Sequence, residues 1–147
     1  LYYNKYRLQE LKIYIEVVAC ILKKKNKILI SSRPLNKSFS GFFEFPGGKV
    51  NSGEFLIEAL KREIDEELDI KIDLSSLFFL KSYFVVQNKK SIKLNFFLCL
   101  NWHGKIWGKE FQDIKWIYPK LLIDLKMLKS NKKIIDFLLY EWFPATN

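Results

Sequence analysis

Cysteine and histidine are scarce: two Cys and one His in 147 residues leave no disulfide framework and no Cys/His zinc signature. Cys20 and Cys99 each sit inside an apolar, strand-like run, where a free thiol packs as a small hydrophobe, so both read as core. The lone His103 precedes Gly104 in a turn-like stretch and reads as solvated rather than catalytic. Glycine and proline are also sparse, at 6 and 4, against 49% hydrophobic and 16% aromatic residues, which excludes a disordered or low-complexity chain. No apolar run approaches the ~18 residues of a membrane span, and the opening "LYYNKYRLQELK" lacks the apolar core and small residues of a signal peptide. These absences predict a protein with no membrane attachment, working in the cytoplasm. Leu1 in place of Met fits an alternative start codon or a chain lacking a few residues. The length suits one domain over residues 1–147, with no repeat or linker to divide it.

Arginine is rare too. Of 25 basic residues only Arg7, Arg33 and Arg62 are arginine. A net charge of +9 invites phosphate binding. The lysines, however, are scattered (Lys23-Lys24-Lys25, Lys89-Lys90, Lys132-Lys133) rather than stacked on one face, as a general Lys/Ile/Asn bias would leave them. We therefore expect no stable nucleic-acid complex, but a general attraction for small phosphorylated anions.

What is present is a run of strand-like and helix-like segments. "IYIEVVACIL" (Ile13–Leu22) and "KILISSR" (Lys27–Arg33) are β-branched and apolar around the polar "KKKN", which predicts a hairpin. A Ser/Gly/aromatic loop leads to a helix for which Ser52 is a plausible N-cap, with Gly53 and Glu54 opening the first turn. Leu77–Val86 and Ile92–Trp102 read as two further strands joined by "QNKKS", and Asp113–Tyr118 as a short one. Ile134, Ile135, Leu138 and Leu139 recur at helical spacing, predicting an amphipathic C-terminal helix over Asn131–Phe143. Strands enclosing one helix and followed by another indicate an α/β or α+β layered domain.

The central helix is unusual. Glu63, Asp65, Glu66, Glu67 and Asp69 crowd into less than two turns, although like charges at helical neighbour spacing cost roughly 0.2–0.5 kcal/mol per pair. At about 100° per residue, Leu56, Ile57, Leu60, Ile64 and Leu68 form a core-facing stripe, and Glu67 falls inside it. A carboxylate held against the protein body requires a positive partner, either Arg62 or a bound cation. Glu63, Glu66 and Glu67 stand at i, i+3 and i+4, which predicts that their oxygens converge on one patch suited to a hard divalent ion. Just upstream, the consecutive glycines of "FPGGK" allow backbone groups to approach a ligand closely.

The spacing Gly48, five residues, Glu54, seven residues, Arg62-Glu63-Ile64, one residue, Glu66-Glu67, one residue, Asp69-Ile70 resembles the Nudix box of the Nudix hydrolases. Asp69 stands where that family usually has the glycine of a left-handed helix end, so a shifted helix terminus is expected. "SSRPLNKSFSGFFEFPGGK", "WHGKIWGKEFQDIKWIYP" and "SNKKIIDFL" extend the resemblance to the MutT-type subfamily, from about Ile13 to Leu138.

That resemblance implies an α/β/α sandwich with a mixed sheet between helices, and a Mg²⁺-dependent pyrophosphohydrolase, Mn²⁺ being able to substitute. It implies metal ligation by Glu63, Glu66, Glu67 and the Gly47 carbonyl, with Glu110 of "WGKE" as a further metal ligand or general base. Arg62 corresponds to the arginine that orients the glutamates, and Glu54 to the first glutamate of the box. For the substrate, Asn131 corresponds to an asparagine reading the purine edge, Phe45 to an aromatic beside the base, and Arg33 and Lys90 to basic positions near the nucleotide. Ser38 and its loop are assigned no firm part. Read on its own, Asn131 is equally a helix N-cap, and Glu110 a surface loop acid.

The implied reaction releases a nucleoside monophosphate and pyrophosphate, with 8-oxo-dGTP as the first substrate expectation and cleansing of the nucleotide pool, hence mutation avoidance, as its role. Another nucleotide, such as CTP or a nucleotide conjugate, is the alternative, since box and fold fix chemistry rather than base. A non-catalytic module that binds damaged bases is a third reading, disfavoured because such modules lack the metal carboxylates. The expected partner is a small nucleotide and the expected state a monomer.

Overall fold

The computed structural model describes residues 13–142. The N-terminal reading of Leu1–Lys12, Arg7 included, and the expected helix end at Phe143 lie outside the described residues.

β1 (Tyr14–Lys24) and β2 (Lys27–Ser32) form the expected hairpin, with Lys24 paired to Lys27 and Lys25 at φ 56°, the positive value that two-residue hairpin turns demand. Next come β3 (Phe43–Glu44), β4 (Gly47–Lys49), helix α1 (Leu56–Leu68) and β5 (Lys71–Ile72). β6 (Leu77–Gln87) and β7 (Lys90–Cys99) are joined through Asn88 and Lys89, both at positive φ. β8 (Trp102–His103), β9 (Ile114–Ile117) and α2 (Lys132–Phe137) complete the order, α2 running on into a π-helical turn over Leu138–Trp142.

The main sheet runs β3-β2-β1-β7-β6, with β4 also on β1 and β9 also on β2. It is mixed, as expected: β1 and β7 are parallel and the other pairs antiparallel. β1 is covered on both faces. Val18, Cys20 and Leu22 point to a cluster with Ala59, Leu60, Ile64 and Leu68 of α1, while Ala19 and Ile21 point to one with Leu122, Ile134, Ile135 and Leu138. A strand buried on both faces reads as a near-continuous apolar run, which is why "VVACIL" does not alternate. Cys20 and Cys99 are buried free thiols. The layers are therefore those of an α/β/α sandwich, and among the described residues no helix is long and apolar enough to cross a membrane.

One edge of β1 is shared. β4 pairs with Val17–Ala19 and β2 with Lys23 and Lys24, and the Cys20 N–H donates to the Pro46 carbonyl at 2.8 Å between them. This fork lays the glycine turn on the middle of β1, beneath α1.

Three local expectations are corrected. Ser52 is not the N-cap: α1 starts at Leu56 behind Phe55, because Gly53 is left-handed (φ 81°) and Asn51–Glu54 closes a turn of its own. In that turn the Glu54 N–H donates to the Asn51 carbonyl at 3.0 Å, and the Asn51 N–H donates to the Glu54 carboxylate at 2.7 Å. The strand predicted to reach Trp102 ends at Cys99, since the Asn101 N–H bonds the Ser76 hydroxyl and Trp102 leaves to join β8 against β5. Ile57 is 44% exposed, and Ala59 takes its expected place on the buried stripe.

That last difference is testable. Truncating Ile64, which is fully buried, to Ala should lower unfolding free energy in urea by about 2–5 kcal/mol. Ile57→Ala should cost less than about 1 kcal/mol.

Candidate active site

The site begins with two close approaches. A Cβ on Gly47 would lie 2.0 Å from the Val18 carbonyl oxygen, and one on Gly48 would lie 2.4 Å from the Glu63 carboxylate. At Gly47 the obstacle is backbone, so only glycine lets β4 rest on β1; at Gly48 it is the Glu63 carboxylate, which a Cβ would displace. One turn further along α1, Glu67 reaches the same backbone, its Oε2 accepting from the Gly47 N–H at 3.3 Å. The residue that breaks the apolar stripe is thus turned onto the glycine turn.

Arg62 organises the neighbouring acids. Its Nε and one terminal nitrogen grip Glu54 at 2.9 and 2.8 Å, that same nitrogen donates to the Lys49 carbonyl at 3.0 Å, and the other donates to Glu63 at 2.7 Å. Glu66 stands 3.6 Å from the guanidinium and is 58% exposed. The two-pronged contact holds the Glu54 carboxyl down at about 2 and raises the affinity of Arg62 for its proton. Of the two partners open to Glu67, Arg62 is therefore not the one it takes. Burial first, and then the charges of Glu44, Glu63 and Glu110, push the Glu67 carboxyl well above the usual carboxylate range, with Lys37 opposing.

Glu110 arrives on a loop that caps α1. The Trp107 and Lys109 N–H groups donate to the Leu68 and Glu67 carbonyls at 3.2 and 3.0 Å, and the Gln112 amide to the Glu67 carbonyl at 3.1 Å. Gln112 in turn accepts from the Glu110 N–H at 2.9 Å, and Lys37 lies 3.6 Å from the Glu110 carboxylate. Carbonyls left open at the helix end are thereby satisfied by the segment that carries the acid.

The expected shift of the helix terminus does not occur. Asp69 is itself the left-handed cap (φ 58°, ψ 38°) directly after Leu68. Its carboxylate accepts from the Trp107 indole at 3.0 Å and pairs with Lys109 at 3.5 Å, which lowers its pKa, so a side chain that glycine would lack ties down the Glu110 loop.

Glu44, left without a role by sequence reading, belongs to the acidic group. It pairs with Ser31 across β2, accepts from Arg33 at 3.1 Å, and its pKa is raised by burial. The available signal was an acid inside the aromatic run "GFFEFPGG", the same intrusion that marked Glu67. Arg33 also donates to the Ser38 carbonyl at 2.7 Å, fixing that loop.

The other substrate candidates lie elsewhere. Phe45 is 3% exposed in the cluster on the α2 face, edge-to-face with Phe96. Asn131 is 6% exposed at the N-cap position of α2 and makes no side-chain capping bond. Lys90 is exposed at the turn end of the β6–β7 hairpin, opposite Gln87.

The i, i+3, i+4 acids do not form a closed cage: among the described residues no three His, Cys, Asp or Glu side chains are gathered to hold a metal ion. Arg62 spreads them, drawing Glu63 and Glu66 while Glu67 stays on Gly47. Glu44, Glu63, Glu67 and Glu110, faced by Arg33, Arg62 and Lys37 and lying beside a backbone cradle that a Cβ would fill, nevertheless present the carboxylate oxygens that a hard divalent cation takes.

The chain matches the NUDIX domain family over residues 13–139. It is 43% identical to the 8-oxo-dGTP diphosphatase of Buchnera aphidicola subsp. Schizaphis graminum, over 77% of this chain and 82% of that one. To the CTP pyrophosphohydrolase of Escherichia coli it is 34% identical, over 83% and 89%. A solved MutT structure from work on Aliivibrio salmonicida and Vibrio cholerae superposes with a TM-score of 0.70 at 28% identity, covering 84% of this chain and 94% of that one.

The electrostatics of Glu67 give a pH test. Its folded-state pKa is raised, so the folded protein binds this proton more tightly than the unfolded one, and the associated stability is lost as pH rises above about 4.5. In chelator, wild type should lose stability relative to Glu67→Gln as pH rises above about 4.5 in urea titrations. A flat difference would contradict the buried acidic environment.

Proposed function

The chain belongs to the NUDIX family and is a Nudix hydrolase, and from that premise we propose that it converts 8-oxo-dGTP to 8-oxo-dGMP and pyrophosphate, keeping oxidised guanine out of the nucleotide pool. The observation that carries the reading is the Glu67 carboxylate seated on the Gly47 N–H amid Glu44, Glu63 and Glu110. Relatives named 8-oxo-dGTP diphosphatase support the choice of base. Asn131 supports it too: a nearly buried amide not spent on capping retains both donor and acceptor for a purine edge.

In this reading Glu63, Glu66, Glu67, Glu110 and the Gly47 carbonyl would hold Mg²⁺, with Mn²⁺ able to substitute. The ion supplies charge neutralisation at the phosphate chain and acidifies water. The chain's own groups do the rest. Arg62, gripped by Glu54, keeps Glu63 in place. Glu110, on its tethered loop, is our assignment for accepting the proton of the attacking water. Water adds to one phosphorus of the α–β anhydride, the bridging P–O bond breaks to leave the monophosphate and pyrophosphate, and the proton passes to the carboxylate. Arg33 orients Glu44 and the Ser38 loop on the nucleotide side, Phe45 backs the base and Lys90 attracts phosphate. One domain over residues 1–147, a monomeric state, a cytoplasmic location and no stable nucleic-acid complex accompany this reading.

A second reading, hydrolysis of CTP, is favoured by the relative of that name. Pyrophosphate release across oxidised and canonical nucleotides with Mg²⁺ separates the two: 8-oxo-dGTP should give the highest kcat/KM, and a preference for CTP would select the second.

Glu67→Gln should abolish turnover while circular dichroism stays unchanged; retained activity would remove Glu67 from the metal site. Asn131→Ala should lower kcat/KM for 8-oxo-dGTP more than for dGTP, by about tenfold or more. Equal losses would leave Asn131 a purely structural residue.

A further inference from the structure

The β1–β2 hairpin carries a feature that the catalytic reading does not use. Lys24 is paired directly opposite Lys27, and like charges so placed destabilise a sheet. The β2–β9 register, Ile28 with Ile117, sets Tyr118 beside Lys27, whose ammonium lies 5.1 Å from the Tyr118 ring centroid. Strand alternation gives these residues one face. Leu22, Leu29 and Trp116 pack in the α1-side cluster, and Lys24, Lys27 and Tyr118 each follow or precede one of them by two positions.

The result is a surface pocket of about 540 Å³ lined by Lys24, Lys25, Asn26, Lys27, Trp116 and Tyr118. No acid lines it, and none of its three lysines forms an ion pair among the described residues. Lys27 is four positions along β2 from Ser31, the partner of Glu44, which at ~3.3 Å per residue puts roughly 13 Å between the two places.

We infer that this pocket is a second nucleotide site, which takes a nucleoside monophosphate with its base on Trp116 and Tyr118 and its phosphate among Lys24, Lys25 and Lys27. The volume lies within the range of small-ligand sites. A flat ring joined to a compact dianion is the ligand chemistry that combines both parts of the lining, aromatic surface and ammonium groups that have no ion pair among the described residues. The inference does not depend on the hydrolase reading, because its readout is local.

The test is a titration of the full ¹⁵N-labelled chain with AMP in chelator, following the indole N–H resonance of Trp116, assigned through Trp116→Phe. A saturable shift is expected. The paired substitution Lys24→Gln/Lys27→Gln should weaken it by about tenfold or more, while Lys24→Arg/Lys27→Arg, which keeps the charge, should retain it. Nucleoside triphosphate turnover should be unaffected by either pair. An unmoved indole, or equal affinity in the Gln pair, overturns the site. A mixed-sequence oligodeoxynucleotide that shifts the same resonance at concentrations far below those AMP requires would also overturn it, in favour of a nucleic-acid surface.

Discussion

The site depends on the approach of helix α1 to the backbone of β4. Two carboxylates, Glu63 and Glu67, rest on two glycines; a Cβ at Gly47 would run into the β1 backbone, and one at Gly48 would push the Glu63 carboxylate from its place. The fork in the β1 edge makes this geometry possible, because β4 can lie on Val17–Ala19 only where β2 has let go of the strand. Packing of Leu60, Ile64 and Leu68 then fixes how far α1 can retreat from the acids it carries. Apolar burial thus holds together charges that would otherwise move apart.

Charge is divided unevenly around that contact. Arg62 is committed to Glu54 and Glu63, and Lys37 leans toward Glu110 and, more weakly, Glu67, so the inner carboxylates remain in excess. The loop after β8 joins this arrangement through the end of α1: its amides satisfy the last carbonyls and its tryptophan is held by Asp69. An exposed loop acid becomes part of a defined site because the helix needs a cap. The proposed site and the helix-end geometry thus share the same few residues.

Much of this was legible beforehand. Periodicity marks β1, β2, β6, β7, β9 and both helices, though not the short β3, β4, β5 and β8, and the intrusion of Glu67 into an apolar stripe singles out the side chain that the structure turns onto Gly47. The errors were local and share a cause, competition by tertiary contacts. Ser52 had the chemistry of a cap, but Gly53 and the Asn51–Glu54 turn occupied that stretch, and the helix waited for Leu56. Trp102 continued an apolar run in sequence, yet Ser76 and β5 claimed its segment. Asp69 was expected to move the helix end and instead adopted the left-handed conformation, stabilised by Trp107, a partner 38 positions away that no local pattern discloses. Glu44 went unassigned because its role comes from Arg33 and Ser31 across a sheet whose register the chain does not announce.

The parallel pairing of β1 with β7 bears on the order in which the protein can be built. Tyr14 meets Ser91 and Leu22 meets Cys99, so the strand that supports the glycine turn gains its central neighbour from residues 77 positions later in both cases (91 − 14 and 99 − 22). Closing a loop of that size precedes any reward from the contact, which makes it a slow step in folding. A nascent chain emerging only as far as α1 therefore carries every residue of the glutamate-bearing helix while its seat on β1 is still half built, and catalytic competence comes late in synthesis.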